Sequence, residues 1–125
     1  MAIFWVALGG AFGAVARYGV ARWCGRVFGA SFPVGTFLVN VSGSFLLGFV
    51  ATLLALRTIP HAEAVRLGFA VGFLGAYTTF STFEFETDNL LRDGEWLYAA
   101  ANVLGSVVAG LVAIRLGIAL ARRAA

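Results

Sequence analysis

The stretch GAYTTFSTFEFE, residues 75–86, places polar side chains in a part of the chain that is otherwise apolar. Four hydroxyls fall within the five positions 78–82, on Thr78, Thr79, Ser81 and Thr82. Phe80 and Phe83 are three residues apart and share one face of a helix. The positive edge of an aromatic ring can solvate an anion, whereas ordinary packing is the alternative for two such rings. These residue types fit either contacts with an ion or ordinary packing, and packing is the commoner role of an isolated pair of phenylalanines.

The same stretch is a poor continuous helix. Glycine in a helix interior costs roughly 1 kcal/mol relative to alanine, and Gly72 and Gly75 precede hydroxyls that compete for backbone hydrogen bonds. We therefore expect a break near the middle of this segment. Inside a membrane, a broken helix persists where its freed backbone groups line a cavity or meet an ion. Carbonyls freed here would coordinate a small cation, and two breaks meeting at a dimer axis would double their number.

Two further apolar segments carry polar side chains at every fourth position. One set is Thr36, Asn40 and Ser44, and the other is Tyr98, Asn102 and Ser106. Residues four apart share one helix face, and each polar group in hydrocarbon costs free energy unless it finds a partner or water. Two such stripes facing one another would line a polar path. A single asparagine more often bonds a neighbouring helix, so interhelical bonding is the alternative.

Other reactive side chains do not indicate catalysis. Cys24 and His61 are each the only residue of their type, which excludes an internal disulfide and a histidine cluster. No nucleophile is paired with a base, so we predict that the protein is not an enzyme. Arg17, near the end of the first apolar segment, either snorkels or turns inward with a fixed charge. Both positions favour anions at that rim.

Composition assigns these residues to a membrane protein. The chain of 125 residues is 61% hydrophobic and 12% charged, which is more apolar surface than a soluble domain of this size buries. Stretches without charge match the roughly 20 residues that a membrane helix needs. We predict an all-α integral membrane protein whose residues 1–125 form one domain of four transmembrane helices, at about 2–21, 34–57, 66–90 and 95–120. Arg17 stands where a signal peptide would be cleaved, so we expect the first helix to be retained.

The distribution of charged and small residues along the chain indicates how the helices and subunits assemble. The net charge of +3 is better explained by membrane orientation than by nucleic-acid binding. Four or five arginines fall on the side of the termini and three on the other, a bias weak enough to permit an antiparallel dimer. A single orientation with cytoplasmic termini is the alternative. Each predicted helix carries two small residues four positions apart, which allow close packing within or between subunits: Gly9 and Gly13, Ser44 and Gly48, Gly68 and Gly72, Ser106 and Gly110.

Three segments together resemble the Fluc (CrcB) family of fluoride channels over essentially the full length. They are GGAFGAVARY in the first helix, GTFLVNVSGSFLLG in the second and GFLGAYTTFSTFEFET in the third. The resemblance implies an antiparallel, dual-topology homodimer in the cell inner membrane, with the third helix broken. It also implies two separate pores, each built by both subunits, that export cytoplasmic fluoride passively.

The resemblance also implies roles for individual residues. Asn40 would be the pore asparagine, and Phe80 and Phe83 would turn their ring edges to fluoride. Ser106 would lie on a polar track of the fourth helix and Arg17 at the vestibule. Ser81 and Thr82 would lie near the pathway.

A structural sodium ion at the dimer interface is implied by the same likeness. Its ligands would be the backbone carbonyls of Gly75 and Thr78. The chain departs from the family pattern at Ala76 and Tyr77, where local packing differs, and at Asn102 and Gly110 on the fourth-helix track. Roles for Tyr77, Glu84, Glu86 and Asn102 are left unassigned.

Two other functions fit a four-helix membrane chain. A small proton-coupled multidrug exporter also works as an antiparallel dimer, but it needs a buried carboxylate, ideally in the first helix, and none is present there. A non-transporting assembly subunit would use the polar stripes only to hold helices together.

Overall fold

The computed structural model describes all 125 residues, and every regular element in it is helical. Three helices are long and apolar enough to cross a membrane: α1 (Ala2–Phe28), α2 (Val34–Leu56) and α6 (Trp96–Ala124). Between α2 and α6 the chain forms α3 (Ala62–Val65), a π-helical segment (Arg66–Leu74), α4 (Gly75–Tyr77) and α5 (Phe80–Arg92). The prediction of an all-α protein is confirmed, and three of the four predicted transmembrane segments are helices long enough to span a membrane. The other segment, 66–90, is interrupted.

The predicted break lies between α4 and α5. Thr78 and Thr79 are both extended, with φ and ψ of −83° and 156° and of −150° and 122°. The Thr78 hydroxyl donates to the Leu74 carbonyl oxygen at 2.9 Å, which is the competition for backbone groups expected of hydroxyl residues. The Thr79 hydroxyl then caps α5 by accepting from the Thr82 N–H at 3.4 Å. The hydroxyls therefore end one helix and start the next.

The π-helical segment Arg66–Leu74, which precedes the break, was not predicted. A π-helix closes i→i+5 hydrogen bonds and is rare outside short stretches within α-helices. Phe69 and Phe73 stack with centroids 5.3 Å apart and planes at 5°, and Tyr77 continues the stack at 5.6 Å and 16°. The Tyr77 hydroxyl lies 3.0 Å from the Ser42 hydroxyl on α2. The stack therefore ties the end of this segment to α2.

Close backbone contacts hold the helices in two pairs, α1 against the π-helical segment and α2 against α6. A Cβ atom at Gly13 would overlap the Phe73 carbonyl, and one at Gly9 would overlap the Gly68 carbonyl. Gly117 of α6 meets the backbone of Phe45 in the same way. The small residues of α1 thus pack within the subunit, and they bring α1 alongside the segment that contains the break.

Gly13 and Gly19 of α1 give a matched test of this packing. Gly13→Ala forces a methyl group into the Phe73 backbone and should destabilise the protein by about 1–3 kcal/mol. Gly19 has no neighbour within 4 Å, so Gly19→Ala should be neutral or stabilising by up to about 1 kcal/mol. Thermal unfolding in detergent measures both changes. Equal stability of the two variants would contradict the close approach.

Candidate functional site

Asn40 and the extended backbone of Thr79 form the centre of the site. The Asn40 Nδ2 donates to the Thr79 carbonyl oxygen at 3.0 Å, and the Thr79 N–H donates to Asn40 Oδ1 at 2.8 Å. One side chain on α2 therefore satisfies both backbone groups of a residue that belongs to neither helix. Asn40 has two amide hydrogens, and this pairing leaves one of them as a free donor.

A cavity of about 310 Å³ opens beside this pair. It brings together several of the predicted residues, from α2 and from both sides of the break: Asn40, Ser44, Gly75, Thr78, Thr79 and Phe80. Apolar walls come from Leu47, Ala70 and Leu74. The arrangement combines an amide donor, hydroxyls and an aromatic ring in one recess, which is a set of groups able to replace the water around a small ion.

Two carbonyl oxygens at the break have no helical partner. The Thr79 N–H, which would bond the Gly75 carbonyl in a continuous helix, donates to Asn40 instead. The Thr78 carbonyl lies between the two helices and accepts no hydrogen bond. Gly75 is exposed on the surface of the subunit. Hard oxygen ligands of this kind suit a small alkali or alkaline-earth cation.

Phe80 and Phe83 form a tilted pair on the first turn of α5. Their ring centroids are 6.1 Å apart and their planes meet at 42°. Phe80 is 71% exposed although it is a large apolar ring, whereas Phe83 is half-buried. The Phe80 ring thus projects beyond the subunit, where another molecule has to cover it. Ser81, also predicted near the pathway, is exposed on the same turn, and Thr82 is half-buried there.

Arg17 turns inward rather than snorkelling. Its Nε donates to the Ala76 carbonyl oxygen at 3.0 Å, close to the end of α4. A carbonyl near a helix C-terminus carries partial negative charge, so a guanidinium is stabilised there. Arg17 therefore supports the break from the side opposite Asn40, and it is not among the residues that line the cavity.

Glu86 of α5 contacts the polar stripe of α2, although the sequence assigned it no role. The Thr36 hydroxyl donates to Glu86 Oε1 at 2.9 Å, and the other carboxylate oxygen is buried without a partner. Two spacings could have indicated this contact. Glu86 is three residues after Phe83 and Thr36 is four before Asn40, so each pair shares a helix face.

The α6 stripe bonds to α5 through Asn102. Asn102 is fully buried and donates to the Thr87 hydroxyl at 2.9 Å, and Thr87 donates to the Phe83 carbonyl oxygen at 2.8 Å. The Ser106 hydroxyl lies 3.4 Å from Asn102 Oδ1. Further along α6, a Cβ atom at Gly110 would lie 3.6 Å from the Ser44 hydroxyl oxygen, so α6 and the α2 stripe approach one another there. Both stripes bond to α5, through Thr36 to Glu86 and through Asn102 to Thr87, and Ser106 is not among the residues that line the cavity.

Comparison with known proteins identifies the group to which these features belong. The family profile described as CrcB-like protein, Camphor Resistance (CrcB), matches residues 4–118. A relative in Chloroflexus aurantiacus, named fluoride-specific ion channel FluC, is 44% identical over 94% of this chain and 92% of its own length. Relatives of the same name in Solibacter usitatus and Geobacter metallireducens are 50% and 49% identical, over 94% of this chain and 96% and 94% of their own lengths.

Asn40→Asp tests the backbone pairing. The substitution keeps the acceptor for the Thr79 N–H but sets a carboxylate oxygen against the Thr79 carbonyl, so stability should fall by about 1–3 kcal/mol. Thermal unfolding of the purified protein measures the loss. Asn89→Asp on α5 is the control, because Asn89 uses only its oxygen, as acceptor from Arg92 at 3.0 Å. An unaffected Asn40→Asp protein would contradict the pairing.

Proposed function

This chain belongs to the CrcB family of fluoride channels, and from that premise we propose that it is a fluoride-selective passive channel with two pores in an antiparallel homodimer. The family consists of transporters, so the prediction that the chain is not an enzyme is confirmed. The observation that carries the proposal is the free donor of Asn40 beside the exposed Phe80 ring, at a fixed helix break.

Fluoride is small and strongly hydrated, so a selective pathway has to replace its water at close range. The spare Asn40 hydrogen, nearby hydroxyls and the positive edges of Phe80 and Phe83 supply such contacts without a full charge that would trap the ion. A larger halide needs a wider passage. The Phe80 and Phe83 rings are held by α5, and the Asn40 amide is held by the backbone of Thr79. These groups cannot move apart without breaking the contacts described above, and this favours fluoride over chloride.

One subunit does not enclose this pathway. Phe80 and Gly75 are exposed, and Ser106 is not among the residues that line the Asn40 cavity. A second copy in the opposite orientation would cover Phe80 and would place the α6 track of one subunit near the rings of the other. The weak charge bias between the two sides supports insertion in both orientations. The segment 66–90, third in chain order and broken at its middle, would then complete the set of four transmembrane elements.

A sodium ion fits the carbonyls at the break. The Gly75 and Thr78 oxygens are hard, uncharged ligands that lack partners within the subunit, and Gly75 has no steric neighbour. Bound there, sodium would supply positive charge that neutralises these dipoles at the dimer interface. In this chain the break is held by Asn40, Arg17 and the Thr78 hydroxyl, which would keep the two carbonyls oriented outward.

Passive flow suffices for export from the cell across its inner membrane. Neutral HF enters the cytoplasm, loses its proton there and is trapped as fluoride. A membrane potential negative inside favours the exit of an anion by about 2.3 kcal/mol per 100 mV. The proton-coupled exporter lacks support because α1 carries no carboxylate, and the half-buried Glu86 bonds Thr36 near one end of α2 rather than at its middle.

Fluoride efflux from liposomes tests the proposed pore. Vesicles loaded with potassium fluoride and treated with valinomycin should release fluoride rapidly, and vesicles loaded with chloride should not. Phe80→Ile removes a ring edge and should reduce fluoride efflux by at least about tenfold, the scale of one lost polar contact of about 1.4 kcal/mol. A fluoride electrode records the rates.

Phe85→Ile is the matched control, because Phe85 is a 63% exposed ring on the same helix and makes no contact with the Phe80–Phe83 pair. Its efflux should equal that of the wild type. Wild-type protein that is folded and dimeric but releases no fluoride would overturn the channel function. Loss of the dimer in Phe80→Ile, rather than loss of flux alone, would favour an assembly role.

Oxidative crosslinking tests the position of the dimer axis. A residue beside a two-fold axis meets its own copy in the partner. In a Cys24→Ala background, Gly75→Cys should therefore form a disulfide-linked dimer in membranes. Gly19→Cys, equally free of neighbours but on α1, should not. Crosslinking of the control without crosslinking at position 75 would place the axis elsewhere.

A further inference from the structure

A second recess, separate from the Asn40 cavity, lies between α1 and the π-helical segment. Its volume is about 840 Å³ and its lining is almost entirely apolar, with aromatic rings on both walls: Trp5, Phe12, Phe69 and Phe73. His61 is exposed at one end, in the left-handed conformation with φ of 58°. We refer to this recess as the α1 groove.

The α1 groove results from the glycine packing of the two elements. Gly9 and Gly68 approach so closely that a Cβ atom at Gly9 would overlap the Gly68 carbonyl. Because neither residue has a side chain, the floor of the groove is bare backbone, while Leu8 and Phe12 on one side and Phe69 on the other rise above it. The same close contact that stabilises the helix pair therefore leaves an apolar trough along its outer surface.

The groove runs along the helix axis. Its lining on α1 extends from Trp5 to Phe12, seven residues at 1.5 Å each, or about 10 Å. Since α1 begins at Ala2, the groove starts near one end of the helix and covers about a third of a hydrocarbon core of roughly 30 Å. It therefore lies within one leaflet and has the direction of an acyl chain.

Positive charge collects at the end where the groove opens. Arg66 follows the lining residue Val65, and Arg57 donates to the Ala124 carbonyl, which brings the ends of α2 and α6 to the same side. Four arginines and one acidic side chain lie toward that end: Arg57, Arg66, Arg122 and Arg123, with Glu63 paired to Arg66 at 2.9 Å. The five other acidic residues all lie within residues 84–95, toward the opposite end. An anionic group is therefore favoured at the mouth of the groove.

We propose that the α1 groove binds one acyl chain of an anionic glycerophospholipid, whose phosphate lies between His61 and Arg66. The apolar lining suits an acyl chain, and the length of the groove fits within one leaflet. The arginines suit the negative charge of the headgroup. This lipid site involves none of the residues assigned to the fluoride pathway, so it stands or falls independently of the channel function.

Trp5 provides a direct probe of the groove. The other two tryptophans, Trp23 and Trp96, are exposed near the opposite end of the molecule and can be replaced by Phe. Phospholipids with brominated acyl chains quench a tryptophan that they touch. In phosphatidylcholine vesicles, brominated phosphatidylglycerol should quench Trp5 at a mole fraction about fivefold lower than brominated phosphatidylcholine, the ratio expected for one arginine near a membrane surface.

Two pairs of variants distinguish recognition of the lipid headgroup from binding of the acyl chain. Arg66→Gln should abolish the preference for phosphatidylglycerol, whereas Arg92→Gln, which breaks a comparable exposed ion pair with Asp88 at the other end, should preserve it. Ala64→Phe fills the groove and should weaken quenching by both brominated lipids. Ala119→Phe, on the exposed side of α6, should leave quenching unchanged.

Three results would overturn the lipid site. Equal quenching by the two brominated lipids in the wild type would mean that Trp5 meets only bulk lipid. A preference that survives Ala64→Phe would place the anionic lipid outside the groove. Absence of quenching by either lipid would mean that a second copy of the chain covers the groove.

Discussion

A membrane offers an interrupted helix no water for its free backbone groups, and each group left unpaired in hydrocarbon costs several kcal/mol. The break at Thr78 and Thr79 is stable because side chains from two other helices take over this task. Asn40 of α2 pairs with both backbone groups of Thr79, and Arg17 of α1 binds the Ala76 carbonyl. The glycine contacts that bring α1 alongside the π-helical segment also stabilise the break, because they bring Arg17 within hydrogen-bonding distance of the Ala76 carbonyl.

The polar groups that remain unpaired are those to which the proposed function gives a role. Within the subunit the Gly75 and Thr78 carbonyls have no donor, and the spare hydrogen of Asn40 has no acceptor. In the proposed channel the two carbonyls would bind a cation, and the amide hydrogen would contact an anion. The α5 helix is meanwhile anchored on two flanks, through Glu86 to Thr36 and through Thr87 to Asn102. An aromatic pair on so fixed a helix can define a narrow passage.

Residue types predicted the break and the polar faces, but not the partners. Gly75 and the hydroxyls of residues 78–82 indicate a local conflict with helix, which needs no knowledge of the rest of the fold. The Asn40–Thr79 pairing depends on how α2 lies against the break, and spacing along one helix contains no such information. The π-helix escaped prediction because the repeat of Phe69, Phe73 and Tyr77 at every fourth position also fits an α-helix. Asn102 showed the limit most clearly: its stripe was recognised, but its partner Thr87 was not.

The most direct measurement of the central claim, that the fixed break creates a fluoride-selective pathway, is the reversal potential of the current through the wild-type protein in a planar bilayer. With a fluoride gradient across the bilayer and a chloride gradient in the opposite direction, the reversal potential should lie at the equilibrium potential of fluoride. A reversal potential that follows chloride or the cation, or the absence of current from protein that is dimeric and folded, would contradict the claim.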